Sequence, residues 1–494
     1  MTQTASQEII TSQLSALELA TQIQSGQITA KSLVDQSFGV IEQTDKTLGA
    51  FLSLSKDLAY EMADSVDQKA KAGEKLPLLA GVPIGVKDNI MVQDLPTTCA
   101  SKILENFVAP YDSTITGKLK AHGLPIVGKT NLDEFAMGSS TENSALQVTR
   151  NPWDTERVPG GSSGGSAVCV SAGQTLLSLG SDTGGSVRQP ASFCGISGLK
   201  PTYGLVSRYG LVAFGSSLDQ ISPFARNTHD MAALMNIITG FDQHDSTSVN
   251  NEPVDYLKAL DTPLDIKRIG YIEELMSDAV QPDVREAIKK SLEAYEGMGI
   301  ATQPVSIPHI KYAVAVYYIV ATAEASSNLA RYDGIRFGLR DMSQPDLLSL
   351  YRHTRDEGFG AEVKRRIILG TFALSSGYAD AYYGKATAVR ELLRKDFSDV
   401  FKQVDVVACP TVPTTAFKIG ELVNDPLQMY LSDIATIPIN MAGIPGMSVP
   451  CGFDQNGLPI GLQLMGPHFS EAKLLQTALA FEKASGLKNL QPVL

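Results

Sequence analysis

An α/β architecture, with helices covering a largely buried sheet, follows from three features of the chain. Short apolar runs at Val82 to Val86, Leu124 to Val127 and Leu176 to Leu179 alternate with glycine-rich loops and amphipathic stretches, the pattern of strands buried on both faces. The apolar fraction is 43% and the charged fraction 19% over 494 residues, which is enough to bury a large core and too little charge for a disordered chain. Helical spacing dominates from Tyr312 to Phe401, and strand signals return after Val406.

The elements read in order as follows. Ser15 and Glu18 stand at capping-box spacing and open a helix, and Thr29 precedes a second whose apolar face begins at Leu33 and Val34. They belong to an N-terminal helical layer over residues 1–75, with residues 76–494 forming the main domain. Gly123 reads as the C-terminal cap of a helix containing Leu119, and Asn131 with Glu134 as the start of the next. A mainly helical insertion spans about 310–402. Its tyrosines, among them Tyr317, Tyr318, Tyr378, Tyr382 and Tyr383, fit either a subdomain over a site or ordinary core packing. Met447 to Phe453, an Asn456-Gly457 turn and Ile460 to Met465 make a hairpin. Ser470 starts a closing helix with Leu474, Leu475, Ala478 and Leu479 on one face.

Several function classes are disfavoured at once. A net charge of -12 argues against a surface that grips phosphate backbones by itself, so any nucleic acid should be held mainly by a partner. The 5 cysteines (Cys99, Cys169, Cys194, Cys409, Cys451) are scattered and never form C-x-x-C. They suggest neither a disulfide framework nor a metal site and read as small buried hydrophobes. No run approaches the length of a membrane span, and no Lys or Arg precedes Lys31. Neither an export signal nor an anchor is visible, and a reducing cytoplasm is expected.

The chemistry concentrates in three places. Lys87 ends an apolar strand, and two glycine-serine loops follow, Gly160-Gly161-Ser162-Ser163-Gly164-Gly165-Ser166 and Asp182-Thr183-Gly184-Gly185-Ser186. A serine hydroxyl is a poor nucleophile near neutrality, so Ser186 needs a base and a donor set for a tetrahedral oxyanion. The consecutive amides of Thr183, Gly184, Gly185 and Ser186 can offer that set. Lys87 can serve as base if burial favours its neutral form. The trio therefore points to a hydrolase that breaks an amide without histidine.

Three decoys compete. Gly123 to Thr130 spells a full phosphate-loop string ending in Gly128-Lys129-Thr130. Leu124-Pro125-Ile126-Val127 is extended, β-branched and short of one donor at proline, so it reads as strand plus turn and cannot wrap a phosphate. Gly160 to Gly164 also satisfies the G-x-S-x-G elbow, which needs a histidine base, and none of the 6 histidines stands in a catalytic context. Asp182-Thr183-Gly184 matches an aspartic-protease triplet, but no second triplet occurs.

Gly-Val-Pro-Ile-Gly-Val-Lys-Asp-Asn, Pro-Gly-Gly-Ser-Ser-Gly-Gly-Ser and Gly-Ser-Asp-Thr-Gly-Gly-Ser-Val-Arg-Gln-Pro-Ala occur in the order and spacing of the amidase signature family, which the chain resembles over nearly its whole length. The resemblance implies one large α/β/α catalytic domain with a mixed central sheet. It also implies Ser186 as nucleophile, Ser162 as bridging serine in a cis peptide, and Lys87 as base.

Stretches at 328–338, 364–378 and 433–446 resemble the branch of that family that releases ammonia from glutamine within a larger complex, more than they resemble free-standing amidases. By that resemblance Arg366 binds the glutamine carboxylate, Asp433 its ammonium, and Tyr317 lines the pocket. A forked cation and an anion are what a zwitterion requires. No cofactor is then expected in this chain. A second subunit would hold ATP, Mg²⁺ and a tRNA-linked glutamate, and a small third subunit would brace the pair. The alternative is a free-standing amidase acting on small or aryl amides.

Overall fold

The two capping signals near the N-terminus form as their spacing predicts. Ser15 and Glu18 cap each other at the start of the helix Ala16–Gln24, and Thr29 caps Ala30–Leu48, which buries Leu33 and Val34. The computed structural model describes residues 14–423 and 425–493, so residues 1–13 of the expected N-terminal layer lie outside the described residues.

An 11-stranded mixed sheet runs through the described residues. Its strands are β1 Phe51–Leu54, β2 Ile84–Lys87, β3 Ile126–Thr130, β4 Leu177–Asp182, β5 Ser197–Lys200, β6 Gln220–Ala225, β7 Arg268–Ile272, β8 Ala301–Val305, β9 Val406–Pro410, β10 Gly446–Phe453 and β11 Pro459–Met465. They lie in the order β1-β3-β2-β4-β6-β5-β10-β11-β9-β7-β8. Parallel pairing joins β2 to β3 and β4, and β7 to β8 and β9, while the central strands pair antiparallel. Strands β2, β3, β4, β6 and β9 are buried along their whole length, because helices cover both faces as the continuous apolar runs require. The predicted hairpin is the β10–β11 pair, with Gly457 at φ 79 in its turn.

Two expectations are corrected. Strand β1 lies within the supposed helical layer and adds an antiparallel edge to β3. Asn131 and Glu134 do not open a helix: only a single 3-10 turn, Glu134–Ala136, forms, and Phe135 and Ala136 take left-handed backbone at φ 49 and 62. The Asn131 amide instead donates to Gln147 O and Thr149 Oγ1, and Asp133 turns its carboxylate to the amides of Thr141 and Asn143. Side chain to backbone bonds of this kind compete with helix formation.

The phosphate-loop string is strand, as its composition predicts. Lys129 lies fully buried within β3 and donates to Asp88 Oδ1 at 2.9 Å, Pro96 O at 2.8 Å and Thr97 Oγ1 at 3.1 Å. The 310–402 stretch contains the helices Ala313–Asn328, Leu347–Gly358, Ala361–Ala373 and Lys385–Val400. All five cysteines are buried and unpaired.

Candidate active site

The register of β2 on β4 sets Val86 opposite Leu179, so Lys87, at the end of β2, reaches the end of β4 where the second glycine-serine loop begins. Sites at the carboxyl ends of parallel strands are the rule in α/β sheets. Lys87 is 0% exposed. Its Nζ lies 2.8 Å from Ser162 Oγ, 2.8 Å from Ser163 Oγ and 3.0 Å from Ser181 Oγ. Burial pushes the amine down to about 7, against the opposing pull of Asp133, Asp182 and Asp219. An unshifted lysine would be neutral in roughly one molecule in 3,000 at pH 7, and burial raises that fraction by orders of magnitude. Burial thus favours the neutral amine that the expected role of Lys87 as base requires.

The first loop presents Ser162 through a cis Gly161–Ser162 peptide. Gly161 N donates to Gln189 Oε1 at 2.8 Å and Asp133 N to Ser162 O at 3.2 Å, anchoring both sides of that bond. The next residue links the two loops, as Ser163 N donates to Ser186 O at 3.1 Å. Ser186 itself is 7% exposed. Its hydroxyl has no hydrogen-bond partner among the described residues. The Lys87–Ser162 leg of the expected relay is therefore formed, and the Ser162–Ser186 leg is not closed, a geometry common in substrate-free sites.

A buried ion pair shapes the second loop. Burial alone would raise Asp182, but Arg188, donating through Nε and Nη2 at 3.1 and 3.0 Å, holds it down to about 2. The ionised carboxylate accepts Gly185 N at 2.9 Å and Val187 N at 3.1 Å. This changes the oxyanion assignment: the Gly185 amide is committed to Asp182, and Thr183, Gly184 and Ser186 retain amides with no acceptor among the described residues. Consecutive amides in one tight turn cannot all face one point when a carboxylate at its start draws one inward.

Residues from 250 positions downstream complete the loop. Thr436 Oγ1 donates to Gly184 O at 2.7 Å, and Asn440 Nδ2 to Asp182 Oδ1 at 2.8 Å. A Cβ at Gly184 would stand 2.8 Å from the Tyr317 ring and hydroxyl, so a larger residue there would push the Tyr317 ring aside. Gly185 takes φ 136, and a Cβ would collide with Thr436 Oγ1. Replacing Gly185 by alanine should therefore displace the neighbouring amides and lower turnover about 10²-fold, the scale of losing one oxyanion donor. Steady-state kinetics at saturating substrate measures this, and unchanged turnover would show that the loop tolerates the displacement.

The three expected substrate-binding residues are all buried. Tyr317 packs on Gly184 and meets Tyr318 edge to face at 5.1 Å. Arg366 is buried, with Nε donating to Glu362 Oε1 at 2.8 Å. Asp433 is buried, accepts the Ser139 hydroxyl, and is pushed up by burial to about 7. Arg366 acts electrostatically on both Asp433 and Tyr317, and Thr436 Oγ1 donates to Gly184 O at 2.7 Å and Asp433 O at 3.1 Å, which sets Asp433 beside the second loop. A cavity of about 390 Å³ lined by Leu275, Val280, Phe417, Leu431 and Ile434 holds none of these side chains.

Sequence reasoning assigned no role to Ser181, Arg188, Asn440 or Thr436. Arg188 stood two residues after Ser186 within a motif already singled out, and that proximity was the available signal. Ser181 stood in the same motif, and Thr436 and Asn440 in the 433–446 stretch, but their contacts with the site were visible only in the fold.

Comparison with known proteins places this geometry in context. The family model described as Amidase matches residues 32–475. A protein from Cyanothece sp., named as the A subunit of glutamyl-tRNA(Gln) amidotransferase, is 54% identical over 477 residues, covering 97% of this chain and 99% of the relative. Its namesake from Geobacillus thermodenitrificans is 53% identical, covering 97% and 98%. The crystal structure of the protein of that name from Thermotoga maritima matches with a TM-score of 0.79 at 45% identity, over 96% of this chain and 95% of that one.

Proposed function

The chain belongs to the amidase family, and from that premise we propose that it is the glutamine-hydrolysing component of a glutamyl-tRNA(Gln) amidotransferase, supplying ammonia for conversion of Glu-tRNA(Gln) to Gln-tRNA(Gln). The observation that carries the reading is the union, beside one loop, of an amide-cleaving constellation with a forked cation and a carboxylate able to hold a zwitterion. The full-length likeness to proteins of that name supports it.

In the proposed cycle neutral Lys87 takes a proton from Ser162, which takes one from Ser186 as the Ser186 oxygen bonds to the glutamine side-chain carbonyl carbon. The open amides of Thr183, Gly184 and Ser186 receive the oxyanion. The proton then returns along the same relay to the amide nitrogen, the C–N bond breaks, and ammonia leaves a glutamyl ester on Ser186. Water enters, gives its proton to the relay and cleaves the ester, releasing glutamate and restoring the Ser186 hydroxyl.

B and C subunits complete the complex. The B subunit holds Glu-tRNA(Gln) and activates its glutamate with ATP and Mg²⁺, and the C subunit braces the pair. This division suits a chain of net charge -12, which is poorly suited to grip RNA alone. Ammonia needs a protected passage, since release into water protonates it and ends its nucleophilicity. No helix among the described residues is long and apolar enough to cross a membrane, and the cytoplasm is the setting proposed.

Arg366→Ala tests the substrate assignment. The loss of a charge-assisted bidentate contact should raise the glutamine KM about 100-fold while leaving hydrolysis of a neutral amide near its original rate. Equal losses on both substrates would favour the free-standing amidase. Transamidation of Glu-tRNA(Gln), dependent on glutamine and ATP and carried out by the chain purified with its partners, tests the larger reaction.

A further inference from the structure

The Arg366 guanidinium is held from its inner side only. Glu362, one turn earlier on Ala361–Ala373, accepts Arg366 Nε at 2.8 Å through Oε1, while its Oε2 is taken by Arg365. Tyr430, on the helix Pro426–Leu431, donates its hydroxyl to the same Oε1 at 2.9 Å. The Tyr430 ring stacks on Tyr318 with centroids 3.8 Å apart. The guanidinium lies 5.2 Å from the Tyr318 ring, 5.7 Å from that of Tyr430 and 5.5 Å from that of Phe214. Nη1 and Nη2 donate to nothing among the described residues, and neither is sealed inside the protein.

Each part of this arrangement has a distinct effect. A buried cation is costly unless it is neutralised, and Glu362 neutralises this one through Nε without occupying the fork. The aromatic rings fix the plane of the guanidinium through cation–π contact. Glu362 already accepts three hydrogen bonds, from Arg366, Tyr430 and Arg365. What remains open is the outer edge of a planar fork, the shape that binds a carboxylate through two parallel hydrogen bonds. Tyr430 and Asp433 stand three residues apart on one segment, so the piece of chain that braces the fork also carries the anion for the ammonium.

We infer that Glu362 and Tyr430 are positioning residues that set the selectivity for amides bearing an α-carboxylate, by holding the Arg366 fork in an orientation that leaves Nη1 and Nη2 free. The inference rests on the reading of Arg366 as the carboxylate binder. A purely structural role would weaken catalysis on every amide, whereas a positioning role weakens only the substrate that uses the fork.

The test compares glutamine with γ-aminobutyramide, which is glutamine without its α-carboxylate, using the full chain together with its partner subunits. Tyr430→Phe should raise the glutamine KM about tenfold, the scale of one hydrogen bond to a charged group, with kcat nearly unchanged. Glu362→Ala should raise it about 100-fold by leaving a buried cation unpaired, and Glu362→Gln, which keeps an acceptor oxygen, should recover part of that loss. Hydrolysis of γ-aminobutyramide should stay within about twofold of wild type in all three variants, as it never engages the fork. Parallel losses on both substrates, or an unmoved glutamine KM in Tyr430→Phe and Glu362→Ala, overturn the inference. Tyr430→Phe deletes one hydroxyl from a half-buried ring and decides the matter if Glu362→Ala does not fold. A wild-type enzyme with no preference for glutamine over γ-aminobutyramide overturns the reading of Arg366 itself; a preference present in wild type and kept in both variants overturns only the positioning role of Glu362 and Tyr430.

Discussion

Ser186→Ala should abolish ammonia release, lowering glutamine turnover about 10⁴-fold or more, as removal of a nucleophile from a cooperating set does. The hydroxyl it deletes is the one at the head of the loop braced by Asp182, Arg188 and Thr436, and Ser163 and Ser181 lie against Lys87 rather than at that position. Glutamine should still bind, because Arg366, Asp433 and Tyr317 are untouched. Transamidation supported by added ammonia should survive in the complex, since the proposed function gives that half of the reaction to the partner. The measurement is glutaminase turnover beside ammonia-dependent transamidation. Retention of the first, or joint loss of both, would remove Ser186 from the role proposed for it.

Replacing Lys87 by alanine should cost about 10³-fold or more in turnover, within the range for a general base whose partners cannot substitute for it. The pH dependence gives the sharper form of this prediction. Burial holds the amine at about 7, so it is neutral above that pH and charged below it. Turnover should rise with pH through about 7 and fall on acidification, because protonation occupies the lone pair that Ser162 needs. In the residual activity of the alanine variant this acid limb should vanish. A limb that persists there at the same pH would assign the titration to another group.

How much could be read without the fold depends on where each interaction lies along the chain. A strand-end lysine and two glycine-serine loops were legible as candidates within a few residues. The choice of Ser162 and Ser186 among their serines came from the family resemblance, and the fold sets Lys87 Nζ 2.8 Å from Ser162 Oγ. A largely buried sheet and the β10–β11 hairpin were legible because apolar runs and an Asn-Gly turn are local signals, whereas the mixed character of the sheet was implied by the family resemblance. The commitment of the Gly185 amide was less accessible, although the three-residue spacing from Asp182 is that of a side chain folding back on its own turn. Strand β1 was missed because four residues between two helices carry little periodicity, and its partner β3 is far along the chain. Thr436, Asn440 and the stacking of Tyr430 on Tyr318 are contacts across long sequence separations. Only the packing of the helical insertion and the 425–442 segment against the sheet brings them to the loop.

The central claim is that a buried neutral amine activates Ser186 through Ser162, and a single-turnover acylation experiment on the intact complex tests it most directly. An acylating substrate would be mixed with enzyme across a range of pH, quenched, and the adduct located and quantified by peptide mass spectrometry. An ester on Ser186 is expected, forming at a rate that rises through one titration near 7. An adduct on any other side chain, or formation on Ser186 at a rate indifferent to pH across that range, would contradict it.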